Sequence, residues 1–232
     1  MITSFFFFIL LVITTIGFWL LPNKYNFKKI ILIFSSLIFI FFFDKSSFIV
    51  TIILSLYSFI FGELILKLKS KSFYHLISVV GLILCLIFFK YIGLLSTTLN
   101  SLNEFLNIFP KFEIRKILLP LGISYITLKH ISYLTDIKWG IIKNTNFLDF
   151  ITYTTLFTIF TAGPIERFER FKEQINNTNE KFNSEYFNEG FKRIVFGLFK
   201  KFALADWIAY FINPILSNKA DYSFELIVLS LF

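Results

Sequence analysis

The chain has 232 residues, of which 56% are hydrophobic and only 16% charged, with a mean hydropathy of +0.73 and a net charge of +8. A soluble domain is nearer half apolar and a quarter charged. The excess gathers in blocks, which excludes a soluble globular enzyme and a disordered chain and leaves a polytopic, all-α membrane protein. The lysines sit in short clusters at the ends of those blocks. That is a topology signal and not a nucleic-acid-binding face, so no nucleic-acid partner is expected. The single cysteine, Cys85, excludes an internal disulfide and any CxxC metal or redox pair, and reads as lipid-facing or packed filler.

Four apolar segments come first. Phe5 to Leu21 is uncharged and ends before Pro22; its leading residues carry no Lys or Arg and no small-residue cleavage site follows, so it reads as a retained helix and not a signal peptide. The second, near 28–43, has a strictly apolar core of only Ile30 to Phe43, and is expected to complete its crossing with Phe27 and snorkelling Lys28 and Lys29. Segments near 47–66 and 73–95 are full length, with Glu63 and Lys90 close enough to the ends to reach the interface. Lys24, Lys28 and Lys29 follow the first segment and Lys67, Lys69 and Lys71 the third. The positive-inside rule therefore places the N-terminus outside and both lysine-rich loops in the cytoplasm. Ser96 to Lys116 has amphipathic spacing (Leu99, Leu102, Leu106, Phe109) and predicts an interfacial helix ended by Pro110.

Two less simple segments follow, near 117–134 and 147–162. The first holds Pro120, Gly122, Lys129 and His130 among apolar residues, and the second is Thr-rich and leads to Gly163 and Pro164. Between Glu166 and Arg193 stand six basic and six acidic residues, which cannot lie in hydrocarbon. Strict counting of crossings puts this amphipathic region (164–202) outside; a cytoplasmic placement requires one of the two preceding segments to be re-entrant, and is preferred. Pro164 suits the first turn of a helix. Phe168, Phe171 and Ile175 share one face of it, and the helix is expected to stop near Asn176. A second helix begins around Ser184 with Phe187, Phe191, Ile194, Leu198 and Phe202 as a stripe, and lies along the membrane before dipping near Ala203. The chain stops at Phe232, seven residues into a new apolar run. It is expected to be one transmembrane domain over 1–232 and a truncated piece of a longer protein.

Three stretches together resemble a known family. Leu119-Pro120-Leu121-Gly122-Ile123-Ser124-Tyr125, continuing to Tyr133 and Asp136, is similar to the LPLGISF…SYLxD signature of the membrane-bound O-acyltransferases. Ala162-Gly163-Pro164-Ile165-Glu166-Arg167 resembles their AGPI.R segment, and Gly197 to Asp206, with Lys200, Lys201 and Asp206, resembles GL.KK..IAD. Order and spacing match the bacterial branch that acetylates alginate or transfers D-alanine to teichoic acids. The forms around Tyr133, Asp136 and Ala162 are more similar to the polysaccharide O-acetylase side, while Arg167-Phe168-Glu169-Arg170-Phe171 is similar to the D-alanyl side.

The resemblance implies a multi-helix bundle with re-entrant or interfacial segments in the bacterial cytoplasmic membrane. It also implies transfer of an acyl group, acetyl foremost, to hydroxyls of a cell-envelope polysaccharide. No bound cofactor or metal is implied; the donor, an acyl-carrier thioester or acetyl-CoA, is a substrate. Membrane lipids, the donor's carrier, the polysaccharide and an extracytoplasmic acyltransferase are the implied partners. An alcohol needs a general base near neutral pH, usually His. His75 reads as interfacial. His130, an ionisable residue in an apolar segment, is a functional candidate by default, able to pair with Asp136 or a backbone carbonyl. In the family, however, the catalytic His lies in a later segment, after an aromatic-Asp-Phe-Ser-Gly stretch that does not occur before Phe232. Residues 1–232 alone are therefore expected to be inactive, with His130 packing or lining a tunnel. Lys200, Lys201 and Asp206 suit either an anionic donor or lipid headgroups. A polytopic transporter or polymer-export component is the alternative from another class, and an inactive family member acting as a scaffold is a third.

Overall fold

The computed structural model describes residues 5–20, 26–106, 119–161, 163–164, 166–177 and 183–217, all helix, turn or extended connection, with no strand among the described residues. They fall into two compact units, 1–179 and 180–232. In the first unit, α1 (Phe5–Leu20) and α2 (Phe27–Phe43) pack together, and α2 packs on α3 (Lys45–Lys67), which packs on α4 (Lys71–Leu106). α3 and the Lys71–Tyr91 stretch of α4 are long and apolar enough to cross a bilayer, and α1 is a shorter apolar helix. α4 does not break at Leu95 as expected: it stays helical to Leu106 because no Pro or Gly interrupts Leu94 to Leu106. Phe109 and Pro110 lie outside the described residues.

Asp44 makes the reversal between α2 and α3. Its carboxylate caps α3, accepting from the backbone N–H of Ser46 (3.0 Å) and Ser47 (3.1 Å) and from the Ser47 hydroxyl. Ser47 Oγ in turn accepts from the backbone N–H of Leu121 at 2.5 Å. The cap thereby fixes the turn that opens α5 (Ile123–Lys138) beside the start of α3.

α5 begins six residues later than the sequence suggests and ends four later. Gly122, at φ +69°, turns the chain into the helix, with the Pro120 carbonyl accepting from Ile123 N–H. Gly140, at φ +75°, ends it. Asp136, expected in the following loop, is thus in the last turns of α5. Running parallel to α3, α5 meets the far end of the bundle through His75, whose Nε2 is 3.2 Å from Thr135 Oγ1. The face of α3 towards the interior carries Ser47, Thr51, Ser55, Ser58 and Gly62, all small and buried. Small residues at this spacing allow close helix approach: a Cβ on Gly62 would stand 2.9 Å from the Tyr133 hydroxyl.

The segment 147–176 is a hairpin that enters and leaves at one end of this bundle. α6 (Phe147–Thr155) has nine residues, about 13 Å of helix. Its N-cap is Asn146, whose side chain accepts from Leu148 N–H at 2.9 Å. Threonines can be buried here because their hydroxyls bond the helix's own carbonyls, Thr152 to Leu148 at 2.6 Å and Thr155 to Ile151 at 2.7 Å. α6 stops at Thr155, short of the segment to 162 expected from hydropathy, and the chain reverses through a short 3₁₀ turn at Phe157–Ile159. By then it is well inside the bundle. Ser55 Oγ, midway along α3, is 3.2 Å from Thr154 Oγ1, and Phe157 N–H donates to Ser36 Oγ of α2 at 3.1 Å. The returning arm passes Gly163 and Pro164 and becomes helical only at α7 (Phe168–Asn176), with Arg167 as its N-cap. Pro164 therefore precedes the helix by four residues and does not occupy its first turn.

The second unit contains α8 (Ser184–Phe199), capped by Asn183, which accepts from Glu185 N–H at 2.8 Å. A π-helical turn over Lys200–Ala205 connects it to α9 (Asp206–Ser217). The helical start near Ser184 is as read from the sequence, and the π-helical turn includes Ala203.

Candidate functional site

The hairpin is held in the bundle by polar side chains that hydropathy alone does not reveal. At its open end, the Lys29 ammonium, first turn of α2, forms an ion pair with the Asp149 carboxylate of α6; the two side chains are 6% and 4% exposed. Lys29 Nζ also donates to Asn176 Oδ1 of α7 at 2.6 Å, and Asn176 Nδ2 donates to Asp149 at 3.3 Å. One cation thus joins α2 to both arms. Lys29 is therefore not a snorkelling residue, as its place at the end of an apolar block had suggested; burying a charge requires a partner, and Asp149 is that partner. Nearby, Lys172 Nζ donates to Asn144 Oδ1 at 2.7 Å, and Thr145 Oγ1 donates to Glu63 of α3 at 2.5 Å. Glu63 also pairs with Lys67 at 2.7 Å.

Deeper in, α5 clamps the returning arm. Tyr125 O–H donates to the Pro164 carbonyl at 2.8 Å, and Tyr153 O–H to the Glu166 carbonyl at 2.8 Å. Lys129, 1% exposed, donates its amine to the Tyr153 carbonyl and lies 4.2 Å from the Tyr153 ring centroid. The two tyrosines satisfy carbonyls on an irregular stretch that has no ladder of its own, and Lys129 satisfies one in the last turn of α6. Beneath them Phe168 packs edge-on against Tyr133 (5.2 Å) and Tyr153 (5.5 Å), and Phe171 lies 5.6 Å from Tyr153. The face shared by Phe168, Phe171 and Ile175 is the face that packs.

Two glycines are there because nothing else fits. A Cβ at Gly122 would lie 2.8 Å from the Phe160 carbonyl oxygen, and one at Gly163 would lie 2.8 Å from Ile159 Cβ. The first contact brings the apex of the hairpin against the opening turn of α5.

His130 is fully buried, its ring 5.7 Å from that of Phe150, and neither ring nitrogen has a hydrogen-bond partner. The pairing with Asp136 or a carbonyl allowed by the sequence does not form, because consecutive helix positions send Lys129 to the Tyr153 carbonyl and His130 to the Phe150 ring. Asp136 is 4% exposed, and the Arg167 guanidinium acts on it electrostatically. Pro120 is buried and Ser124 half-buried at the start of α5, whereas Arg167 is exposed. Pro120, Gly122, Ser124, Asp136, Gly163, Pro164 and Arg167 thus gather along α5 and the returning arm. In the other unit, Lys200, Lys201 and Asp206 are exposed; Lys200 Nζ lies 4.8 Å from the Phe196 ring and Lys201 Nζ 5.6 Å from that of Phe202. Among the described residues no group of three His, Cys, Asp or Glu side chains is placed to hold a metal.

Residues 138–231 match MBOAT, the membrane-bound O-acyltransferase family. Over these residues the chain is similar to that family. Curated relatives agree. A probable alginate O-acetylase AlgI of Pseudomonas aeruginosa is 34% identical over 54% of this chain and 24% of the relative. Its counterpart in Azotobacter vinelandii is 32% identical over 62% of this chain and 27% of the relative. A teichoic acid D-alanyltransferase of Streptococcus thermophilus is 30% identical over 43% of this chain and 24% of the relative. The chain thus spans about a quarter of the length of the curated relatives it matches. No solved structure matches it. The membrane-bound O-acyltransferase match includes α6, the returning arm and the Gly197–Asp206 stretch.

Sequence reading missed Lys29, Asp149, Tyr125 and Tyr153, and treated Lys129 only as a neighbour of His130. A signal existed for two of them: Lys129 and Asp149 are ionisable residues inside apolar segments, and such residues need partners.

Proposed function

We propose that this chain forms the hairpin-bearing part of a membrane-bound O-acyltransferase that moves an acyl group, acetyl foremost, from a thioester donor to hydroxyls of a cell-envelope polysaccharide. The observation that carries the reading is the clamp. The two stretches that resemble the family's first two signatures are joined by Tyr125 to Pro164, with Tyr153 and Lys129 behind them. Such a clamp is a means of holding irregular backbone rigid at depth, which acyl transfer needs for alignment of donor and alcohol and for exclusion of water.

The chain is taken to be a multi-pass protein of the bacterial cytoplasmic membrane. The ends of the hairpin lie beside Lys29, Glu63 and Lys67, next to the lysine-rich loops. The positive-inside rule gives that end to the cytoplasm. On this reading 147–176 is re-entrant and its polar arm returns to the cytoplasm, where an acyl-carrier thioester or acetyl-CoA is available. The burial of Phe157 and Phe160 supplies the shielding that backbone at such depth requires.

Attack by an alcohol needs a base. His130 does not suit that role, because its imidazole is sealed against Phe150 with no approach for an acceptor hydroxyl. We place the base outside residues 1–232, and expect this chain alone to transfer nothing; robust transfer by it would overturn that, with His130→Ala the next variant to assay. A second reading, D-alanyl transfer to teichoic acid, is favoured by the Arg167–Phe171 run, whose two phenylalanines form the packed face of α7. Deleting the gene from its host and quantifying base-labile acetyl and D-alanyl esters of the envelope separates the two. Loss of acetyl esters supports the first reading and loss of D-alanine alone the second; unchanged amounts of both contradict acyl transfer and favour an export role.

A further inference from the structure

On the outer side of the hairpin apex, α1, α2 and the reversal form a groove of about 310 Å³, lined by Leu11, Thr14, Phe18, Trp19, Leu32 and Phe157, among others. Its wall offers almost nothing to a polar ligand. The hydroxyls of Thr14 and Thr15 are committed to the carbonyls of Leu10 (2.6 Å) and Leu11 (2.8 Å). One end of the groove is different: Lys28 Nζ stands 4.8 Å from the Phe18 ring centroid and 5.2 Å from that of Trp19, both lining residues. Unlike its buried neighbour Lys29, Lys28 is half-buried and has no carboxylate partner among the described residues. An alkyl slot that ends at a cation is complementary to a lipid with an anionic head.

We propose that this groove binds one acyl chain of an anionic phospholipid, with the lipid phosphate on the Lys28 ammonium. The site rests on the membrane placement argued above, in which Lys28 lies at the cytoplasmic surface, the face where anionic lipid attracts basic residues. Because Leu156, Phe157 and Thr158 close the groove, the bound chain braces the apex from which the Gly163–Arg167 arm returns.

Trp19 is a built-in reporter. The full chain carrying Trp139→Phe and Trp207→Phe is reconstituted into phosphatidylcholine vesicles containing a low, equal mole fraction of either brominated phosphatidylglycerol or brominated phosphatidylcholine. Quenching of Trp19 is expected to report about fivefold enrichment of the anionic lipid, the weight of one lysine near an anionic surface. Lys28→Gln is expected to abolish that preference. Thr158→Phe, which fills the groove and leaves the cation in place, is expected to abolish it too. Equal quenching by both lipids in the unaltered groove overturns the site. A preference that survives Thr158→Phe also overturns it, because the lysine then only attracts surrounding lipid. No quenching by either lipid overturns the membrane placement along with the site.

Discussion

α3 and the first part of α4 differ from the α5–α7 region in what holds them. The apolar pair is long and turned to its surroundings: only 33% and 11% of their most hydrophobic windows are buried. In α6, by contrast, every residue from Asp149 to Thr155 is buried, though the helix is a third to a half as long and more than half of those residues are polar. One region is placed by its length and greasiness, the other by individual contacts. Where hydropathy is weakest the structure is most specific, and the two regions should answer mutation very differently.

The largest expected effect is at the Lys29–Asp149 pair. Asp149→Ala strands a buried ammonium and is expected to cost about 3–5 kcal/mol, read as a shift of the unfolding midpoint in mixed micelles. Replacing both partners, Lys29→Met with Asp149→Leu, is expected to recover most of that loss. If the single change costs no more than one at the exposed face of α3 such as Ile53→Ala, 59% exposed, the contrast between the regions is broken.

Gly122→Ala comes next. The left-handed backbone alone costs about 1–2 kcal/mol, and the added methyl must also displace the Phe160 carbonyl. Reduced protease resistance of the 156–166 segment, with α3 and α4 still protected, is the expected signature.

Tyr125→Phe and Tyr153→Phe each remove one hydrogen bond to the returning arm, for about 1 kcal/mol each. A double-mutant cycle sharpens the picture: a coupling above about 0.5 kcal/mol shows that the arm is clamped as one unit.

An effect of similar size, but one that depends on pH, is expected at Asp44, between the two kinds of region. Partial burial by itself would raise its pKa, but the Ser47 hydroxyl and the backbone N–H groups of Ser46, Ser47 and Leu121 outweigh that and hold the carboxyl below the ordinary range. A depressed folded-state value contributes stability above the ordinary carboxylate range, which is lost as pH falls through it. Asp44→Ala is expected to cost about 1 kcal/mol at neutral pH. The difference from wild type should shrink in acid, and a difference independent of pH would contradict the cap.

Much of this was legible in the sequence. Block length alone located α1 to α3 and the start of α4, and the motif run located the residues that converge on the hairpin. Gly122 and Pro164 were visible as breaks. What they break was not, because a proline four residues before a helix and one in its first turn look alike without the tertiary hydrogen bond that holds Pro164. Hydropathy also ran α6 on to 162, since Phe157 and Phe160 are as apolar as any helix residue. Only the pull of Ser36 on the Phe157 N–H and the closeness of Phe160 to Gly122 reveal the turn. Lys29 was misread for a related reason: position at a block end suggested exposure, and the partner, 120 residues away in the chain, has no local signature.

The claim on which the rest depends is that 147–176 enters and leaves the membrane on one side. Single cysteines at Asn144, Glu173 and Lys69, introduced into a Cys85→Ser background, can be labelled in sealed vesicles of known orientation with a membrane-impermeant maleimide. The account predicts that Asn144→Cys and Glu173→Cys label from the same side as Lys69→Cys. Labelling of Asn144→Cys and Glu173→Cys from opposite sides would contradict it.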